Sequence, residues 1–251
     1  MDLREQITKR SIKKRKKFIL AEEKIDGDKT LELGCSAAGL SRMLRRGYWV
    51  GYDLDEDVVR EYSQYLKVPA VVGREKLPFK DESFSSVLMF DFLEHVDEDS
   101  LLLRETKRVL KRGGRVIITT PRAGRLFIIK FRNFIGLRKE AYGHKREGYT
   151  PDELITMVKK EGFKIKEISL YSGFFVEFLE AIQNAIYFRI SRNKKDRRSG
   201  NISPVQEEEF KKLKKLLLFQ KIAFPFFLLA DFIDRIFKTK RHVIFLTGEK
   251  E

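Results

Sequence analysis

The sequence predicts an α/β fold built on a doubly wound, mostly parallel sheet. Short apolar segments alternate with amphipathic ones from residue 28 to residue 171. The first apolar segment runs into a glycine turn, TLELGCSAAGL (30–40), of the kind that opens a nucleotide site. A carboxylate, Asp53, ends the second segment, 19 residues beyond Gly34.

The elements follow in order. Residues 4–24 read as a basic, solvated helix. LELG (31–34) is a short strand and residues 40–46 a helix. YWVGYD (48–53) is the second strand. The helix over 55–66 carries acidic residues at its start, where the helix dipole favours them. VPAVVG (68–73) is the third strand, and SSVLMF (85–90) a fourth, apolar enough for burial on both faces. A helix over 100–110 is predicted to end at Lys111, Arg112 and the pair Gly113-Gly114, before the strand RVIITT (115–120). Thr150 as N-cap and Pro151 at the first helical position open another helix, which Gly162 ends before a strand over 163–171. RNKKDRRSGNISP (192–204) is a polar, basic loop, and HVIFLTG (242–248) is the last strand.

The chain's 251 residues, 42% of them hydrophobic, suffice for one α/β domain with a smaller addition. The start, MDLREQITKRSIKKRKK, lacks the apolar core of a secretory signal. Cys35 is the only cysteine, so no intrachain disulfide can form and a cytoplasmic, reducing setting is expected. Net charge is +15, and residues 1–20 and 122–148 carry +6 each. Such concentration suits an anionic partner: nucleic acid, an anionic membrane surface or a phosphorylated substrate. With 35% charged residues and only nine Asn and Gln, thermal adaptation explains it equally well.

Gly34, Ser36 and Gly39 fit G-x-G-x-x-G with serine in the middle place. A Cβ and hydroxyl there crowd a pyrophosphate, which disfavours NAD or FAD. S-adenosyl-L-methionine carries no phosphate and tolerates a small side chain at that position. Asp53 is placed to accept hydrogen bonds from both ribose hydroxyls.

Five segments in this order resemble class I S-adenosylmethionine-dependent methyltransferases of the type-11 group. They are LELGCSAAGLSRML, VGYDLDEDVV, LPFKDESFSSVLMFDFLEHV, RETKRVLKRGGRVIITTP and YTPDELITMVKKEGFKI. The resemblance implies a Rossmann-like, seven-stranded sheet whose final strand runs antiparallel, with S-adenosyl-L-methionine as cofactor. It puts Glu32, Gly34 and Gly39 around the methionine moiety, with Ser36 in the same loop. Asp53 then meets the ribose and Leu54 the adenine, while Phe90 and Asp91 border the methyl donor. Ser36 and Ala38 replace family glycines, and Ser85 replaces a common aspartate. Glu75 is the nearest substitute for an acid that often meets the adenine amino group.

Methyl transfer from a sulfonium is an in-line displacement, so the protein aligns the partners and excludes water. A base is needed only when the acceptor must lose a proton. His95, in FLEHV, and His144, before the YTPDEL helix, are the catalytic candidates, each readable also as a structural or surface histidine. Glu94 is a weaker base candidate, and His242 reads as structural. The three histidines are scattered along the chain, so no metal site is expected. Cys35 lies inside the cofactor loop, which argues against a cysteine adduct with cytosine. MFDF lacks the Asn/Asp-Pro-Pro-aromatic pattern of exocyclic-amine methylation.

Fourteen of the 21 phenylalanines fall within 124–139 and 174–237. The expected organisation is a basic helix in 1–27 and a methyltransferase domain in 28–173 and 241–251. A Phe-rich, basic helical insertion in 174–240 interrupts that domain. The insertion reads as a cap over the cofactor, as a dimer interface, or as an element lying on a membrane surface, with the cap preferred. Leu216 to Ala230 is a 15-residue stretch with one charge, too short to span a bilayer, and Pro225 is predicted to break it. The expected activity is methyl transfer to a small-molecule or lipid-like acceptor. RNA methylation along the basic stretches is the second reading, and a non-catalytic cofactor-binding scaffold the third.

Overall fold

The computed structural model describes residues 11–25, 28–35, 47–66, 69–73, 76–124, 126–190 and 207–251. Its strands are β1 (Lys29–Leu33), β2 (Tyr48–Asp53), β3 (Ala70–Val72), β4 (Phe84–Phe90), β5 (Leu110–Pro121), β6 (Phe163–Tyr171) and β7 (Val243–Lys250). The helices are α1 (Ile12–Glu22), α2 (Glu56–Leu66), α3 (Asp99–Val109), α4 (Phe127–Phe134), α5 (Pro151–Lys160), α6 (Phe174–Ile190) and α7 (Glu207–Ile236). Ser36, Gly39, the helix expected over 40–46, Glu75 and the loop expected over 192–204 lie outside the described residues.

The seven strands form one sheet in the order β3-β2-β1-β4-β5-β7-β6. The first five pair in parallel, and β7 runs antiparallel to both β5 and β6. This is the doubly wound sheet, with its antiparallel last strand, that the sequence predicts. Alternate residues of each central strand face opposite ways and both faces are covered. Leu31, Leu33, Val87, Met89, Val116 and Ile118 join one buried cluster; Trp49, Leu88, Ile117 and Phe245 join another. The strand order reverses between β1 and β4, and the carboxyl ends of strands beside such a reversal leave a crevice.

The predicted helix start at Thr150 is present as a full capping box. Thr150 Oγ1 accepts from the Glu153 amide at 3.3 Å, and the Thr150 amide donates to Glu153 Oε2 at 2.7 Å. Three expectations are corrected. Residues 111–114 do not terminate a helix but open β5, because Leu110 already pairs with Phe84 and a register shift before Ser86 absorbs the glycines. Helix α1, described from Ile12, is packed along one face and not solvated all round: Ile12, Lys17 and Ala21 are buried. Pro225 does not break α7, which runs through it. Proline removes one backbone donor, and the helix continues past that gap.

Helices α6 and α7 are locked together by a carboxylate. Asp234 of α7 accepts from the amides of Phe175 and Val176, at 3.0 Å each, capping the start of α6 from another helix. Ile12 of α1 packs with Val176, Phe227 and Ala230, while Leu126, Ile128 and Leu137 pack with Ala181. The insertion, α1 and the segment around α4 therefore make one helical body on the sheet. Among the described residues, no helix is long and apolar enough to cross a membrane.

Candidate functional site

A cavity of about 580 Å³ opens at the carboxyl edge of the sheet. Glu32, Gly34, Asp53, Leu54, Phe90 and Asp91 line one side of it. Six of the nine residues assigned to the cofactor thus converge, and the other three, Ser36, Gly39 and Glu75, lie outside the described residues.

The convergence follows from the strand ends. Gly34 leaves β1 with φ of +74°, and a Cβ there would stand 2.5 Å from the Phe92 ring. Glycine alone fits, so the backbone forms the floor of the turn. Asp53 ends β2, is 6% exposed, and accepts from the Asp55 amide at 3.2 Å. Buried Glu32 accepts from the Tyr62 hydroxyl at 3.0 Å. Cys35 is buried, and burial with the nearby Asp53 and Glu32 charges pushes its thiol pKa up, so it is not a nucleophile.

On the far side, the turn at Leu93–His95 meets the loop ending in His144. The His95 and His144 rings cross edge to face with centroids 4.6 Å apart. His95 Nδ1 lies 3.1 Å from the Gly143 carbonyl, and the Lys145 amide donates to the Glu94 carbonyl at 2.8 Å. Burial lowers both histidines, and the charge of His95 helps push His144 down to about 3. Both rings are therefore neutral at physiological pH. Glu94 is fully buried; burial first, and the charge of Asp91 second, raise its carboxyl to about 8. Thr120 Oγ1 donates to Glu94 Oε2 at 3.1 Å, while Oε1 has no hydrogen-bond partner among the described residues. Scattered along the chain, His95 and His144 nonetheless meet in space. His242 is not merely structural: it lines the cavity, and burial holds it down at about 4.

Sequence reading missed the cations. Lys17 of α1 donates to Asp91, which also accepts from Thr119 Oγ1 at 3.1 Å. Burial alone would raise the Asp91 carboxyl, but Lys17 and Lys13 more than reverse that and hold it at about 2. Lys13 lies 3.0 Å from Glu177 of α6, and Arg132 of α4 donates to the same carboxylate. Lys16 pairs with Asp231, Lys145 with Asp97 at 2.9 Å, and Arg146 with Asp99 at 2.7 Å. No spacing rule could reveal these pairs, because the partners come from distant segments.

Residues 31–118 match the family model described as a methyltransferase domain. The similarity to a type-11, class I methyltransferase domain lies in those residues, 88 of the chain's 251. An uncharacterized protein of Methanocaldococcus jannaschii is 34% identical over 122 residues, 46% of this chain; the match spans only about half of that relative, 55%. A demethylmenaquinone methyltransferase of Thermotoga maritima is 24% identical, covering 64% of this chain and 82% of its own. A ubiquinone biosynthesis O-methyltransferase of Pseudomonas entomophila is 29% identical, with 57% and 67% covered. The fold is shared with a Haemonchus contortus phosphoethanolamine N-methyltransferase solved with S-adenosyl-L-methionine (18% identity, TM-score 0.53, 89% of this chain and 49% of that one). It is shared also with the cyclase SpnF (16%, TM-score 0.60, 94% and 81%), so fold alone does not fix a reaction.

The described strand ends fit S-adenosyl-L-methionine, the cofactor that the family resemblance implies. The Gly34 turn leaves room that a Cβ would take. Glu32, Asp53 and Asp91 line the cavity with acid where a cationic donor is held. Asp53 and Leu54, the residues expected at the ribose and the base, stand side by side in that lining.

Proposed function

We propose that the chain transfers a methyl group from S-adenosyl-L-methionine to a hydroxyl of a small, apolar, lipid- or quinone-like acceptor. One observation carries the reading. A single cavity joins the donor-binding strand ends to Glu94, His95 and His144, under a wall that includes Ile128, Ile129 and Leu137. The donor supplies a sulfonium methyl, which the acceptor oxygen takes as the carbon–sulfur bond breaks. The chain's task is to align that oxygen, receive its proton and keep water out. A carboxyl held at about 8 is matched to taking a proton near neutral pH. The names of the two quinone-methylating relatives point to the same acceptor class.

The outer face of α7 supports a lipid surface as the acceptor's source. Leu218, Ile222, Phe226, Leu229, Phe232 and Ile236 follow helical spacing, and all are more than half exposed. RNA methylation is the less favoured reading. The basic stretches it needs spend Lys13, Lys16, Lys17, Arg132 and Arg146 on buried or half-buried carboxylates, and Lys145 on the exposed Asp97.

The test is transfer of labelled methyl from S-adenosyl-L-methionine into cell extract, fractionated into lipid and RNA. Label in the lipid fraction supports the proposal, and label confined to RNA overturns it. Heat on titration with S-adenosyl-L-homocysteine but no label in any fraction selects the non-catalytic scaffold.

A further inference from the structure

We propose that Glu94, His95 and His144 form a binding site for one divalent ion of the Zn²⁺, Mn²⁺ or Fe²⁺ class. The ion's role, holding the acceptor oxygen, rests on the methyltransferase reading. A carboxylate oxygen and one nitrogen from each ring lie within 4.8 Å of one another. Ligands about 2.0–2.2 Å from a tetrahedral ion stand roughly 3.3–3.6 Å apart, so closing on it takes a contraction of at most about 1.2–1.5 Å.

Three features point to a cation rather than a chance cluster. Glu94 is fully buried, and its Oε1 has no hydrogen-bond partner among the described residues. Such an oxygen is costly unless a ligand meets it. Its other oxygen is oriented by the Thr120 hydroxyl at 3.1 Å. The contact from His95 Nδ1 to the Gly143 carbonyl, 3.1 Å, assigns the ring proton to Nδ1 and leaves the Nε2 lone pair available. Histidine ligands are commonly held this way, by a carbonyl accepting from the other ring nitrogen.

The loop is also stapled in place. Gly143, which orients His95, immediately precedes His144. The Lys145 amide then bonds the backbone of Glu94 itself at 2.8 Å. The loop that supplies the third ligand is thus tied to the turn that supplies the first two. Two imidazoles and one carboxylate suit a borderline ion better than Mg²⁺ or Ca²⁺, which prefer oxygen alone. Three protein ligands leave a position open, as catalytic sites do, and all three residues line the cavity. An acceptor hydroxyl bound there would stay fixed in place and lose its proton to water in the cavity, and Glu94, as a ligand of the ion, would then not be the base.

The experiment is calorimetric titration of Zn²⁺ into untagged, chelator-stripped full chain. Wild type, His144→Ala and Glu94→Gln are compared, with S-adenosyl-L-homocysteine binding and thermal melting measured on each. The expected result is one equivalent of Zn²⁺ in wild type and at least about tenfold weaker binding in both variants, with unchanged homocysteine-conjugate binding. The Co²⁺ form should show a visible absorption band that His144→Ala loses. Zn²⁺ binding absent from wild type, or unaltered in His144→Ala, overturns the site. If the conjugate still binds, the methyltransferase reading survives that failure. Loss of Zn²⁺ in the variants with no conjugate binding to any protein leaves the metal site standing and its catalytic role without support. Should Glu94→Gln fail to fold, half-buried His144 decides alone.

Discussion

The two walls of the cavity are built differently. The donor wall comes from ends of adjacent parallel strands: Gly34 after β1, Asp53 at the end of β2, Phe90 and Asp91 at the end of β4. Backbone pairing within the sheet fixes these positions. The acceptor wall comes from α1, α4, α6 and the 139–145 loop, joined by buried ion pairs such as Lys13 and Arg132 on Glu177. Donor geometry is therefore a property of the sheet, whereas acceptor geometry depends on side-chain charge. The pair of Lys17 with Asp91 ties the two walls together, so changes to the acceptor wall away from α1 are the ones that leave the donor wall undisturbed.

Perturbations of each wall should separate them. Removing both cations, in Lys13→Met with Arg132→Met, strands a Glu177 side chain that is 1% exposed, and leaving a buried charge unpaired costs about 3–5 kcal/mol. Urea unfolding should show a loss of that size while S-adenosyl-L-homocysteine binding to the remaining folded protein holds. Asp53→Ala should do the reverse. Losing charged hydrogen bonds of about 1.5–3 kcal/mol each weakens binding roughly a hundredfold or more, seen by calorimetry with the melting temperature little changed. A variant in which both properties fall together would dissolve the distinction.

Acid should attack the acceptor wall first. Burial opposes ionisation of Glu177, yet Lys13 and Arg132 hold its carboxyl down at about 2, against an ordinary value of 4.5. A depressed folded-state pKa means stability that is complete above the ordinary value and lost as pH falls toward the folded one. Melting temperature should decline from about pH 4.5 to about pH 2, and less steeply in Glu177→Gln. The smallest stability effect belongs to the surface. Phe226→Ser on exposed α7 should change stability within about 0.5 kcal/mol. Its effect should appear instead as reduced flotation with anionic liposomes.

The convergence of the donor wall was legible because strand ends in a doubly wound sheet meet at a known place, so Asp53 from its position and Asp91 from the family resemblance could be put at one edge. Thr150 and Glu153 were legible because their interaction is local. The acceptor wall was not. Nothing in FLEHV announces that His95 meets His144, since that contact depends on where a distant loop lands. Lys17 looked solvent-bound because its partner, Asp91, lies 74 residues away. Pro225 misled because proline's cost is local, while the helix is held by contacts along its length.

Strand β6 ends at Tyr171 and β7 begins at Val243, and these two residues face each other in the ladder. Residues 172–242 therefore leave and rejoin the sheet at almost one point, like a handle on a closed lid. A different handle, or a short hairpin, could join the same two strands with the ladder intact. The fold could in this way exchange what it accepts while inheriting its donor pocket unaltered.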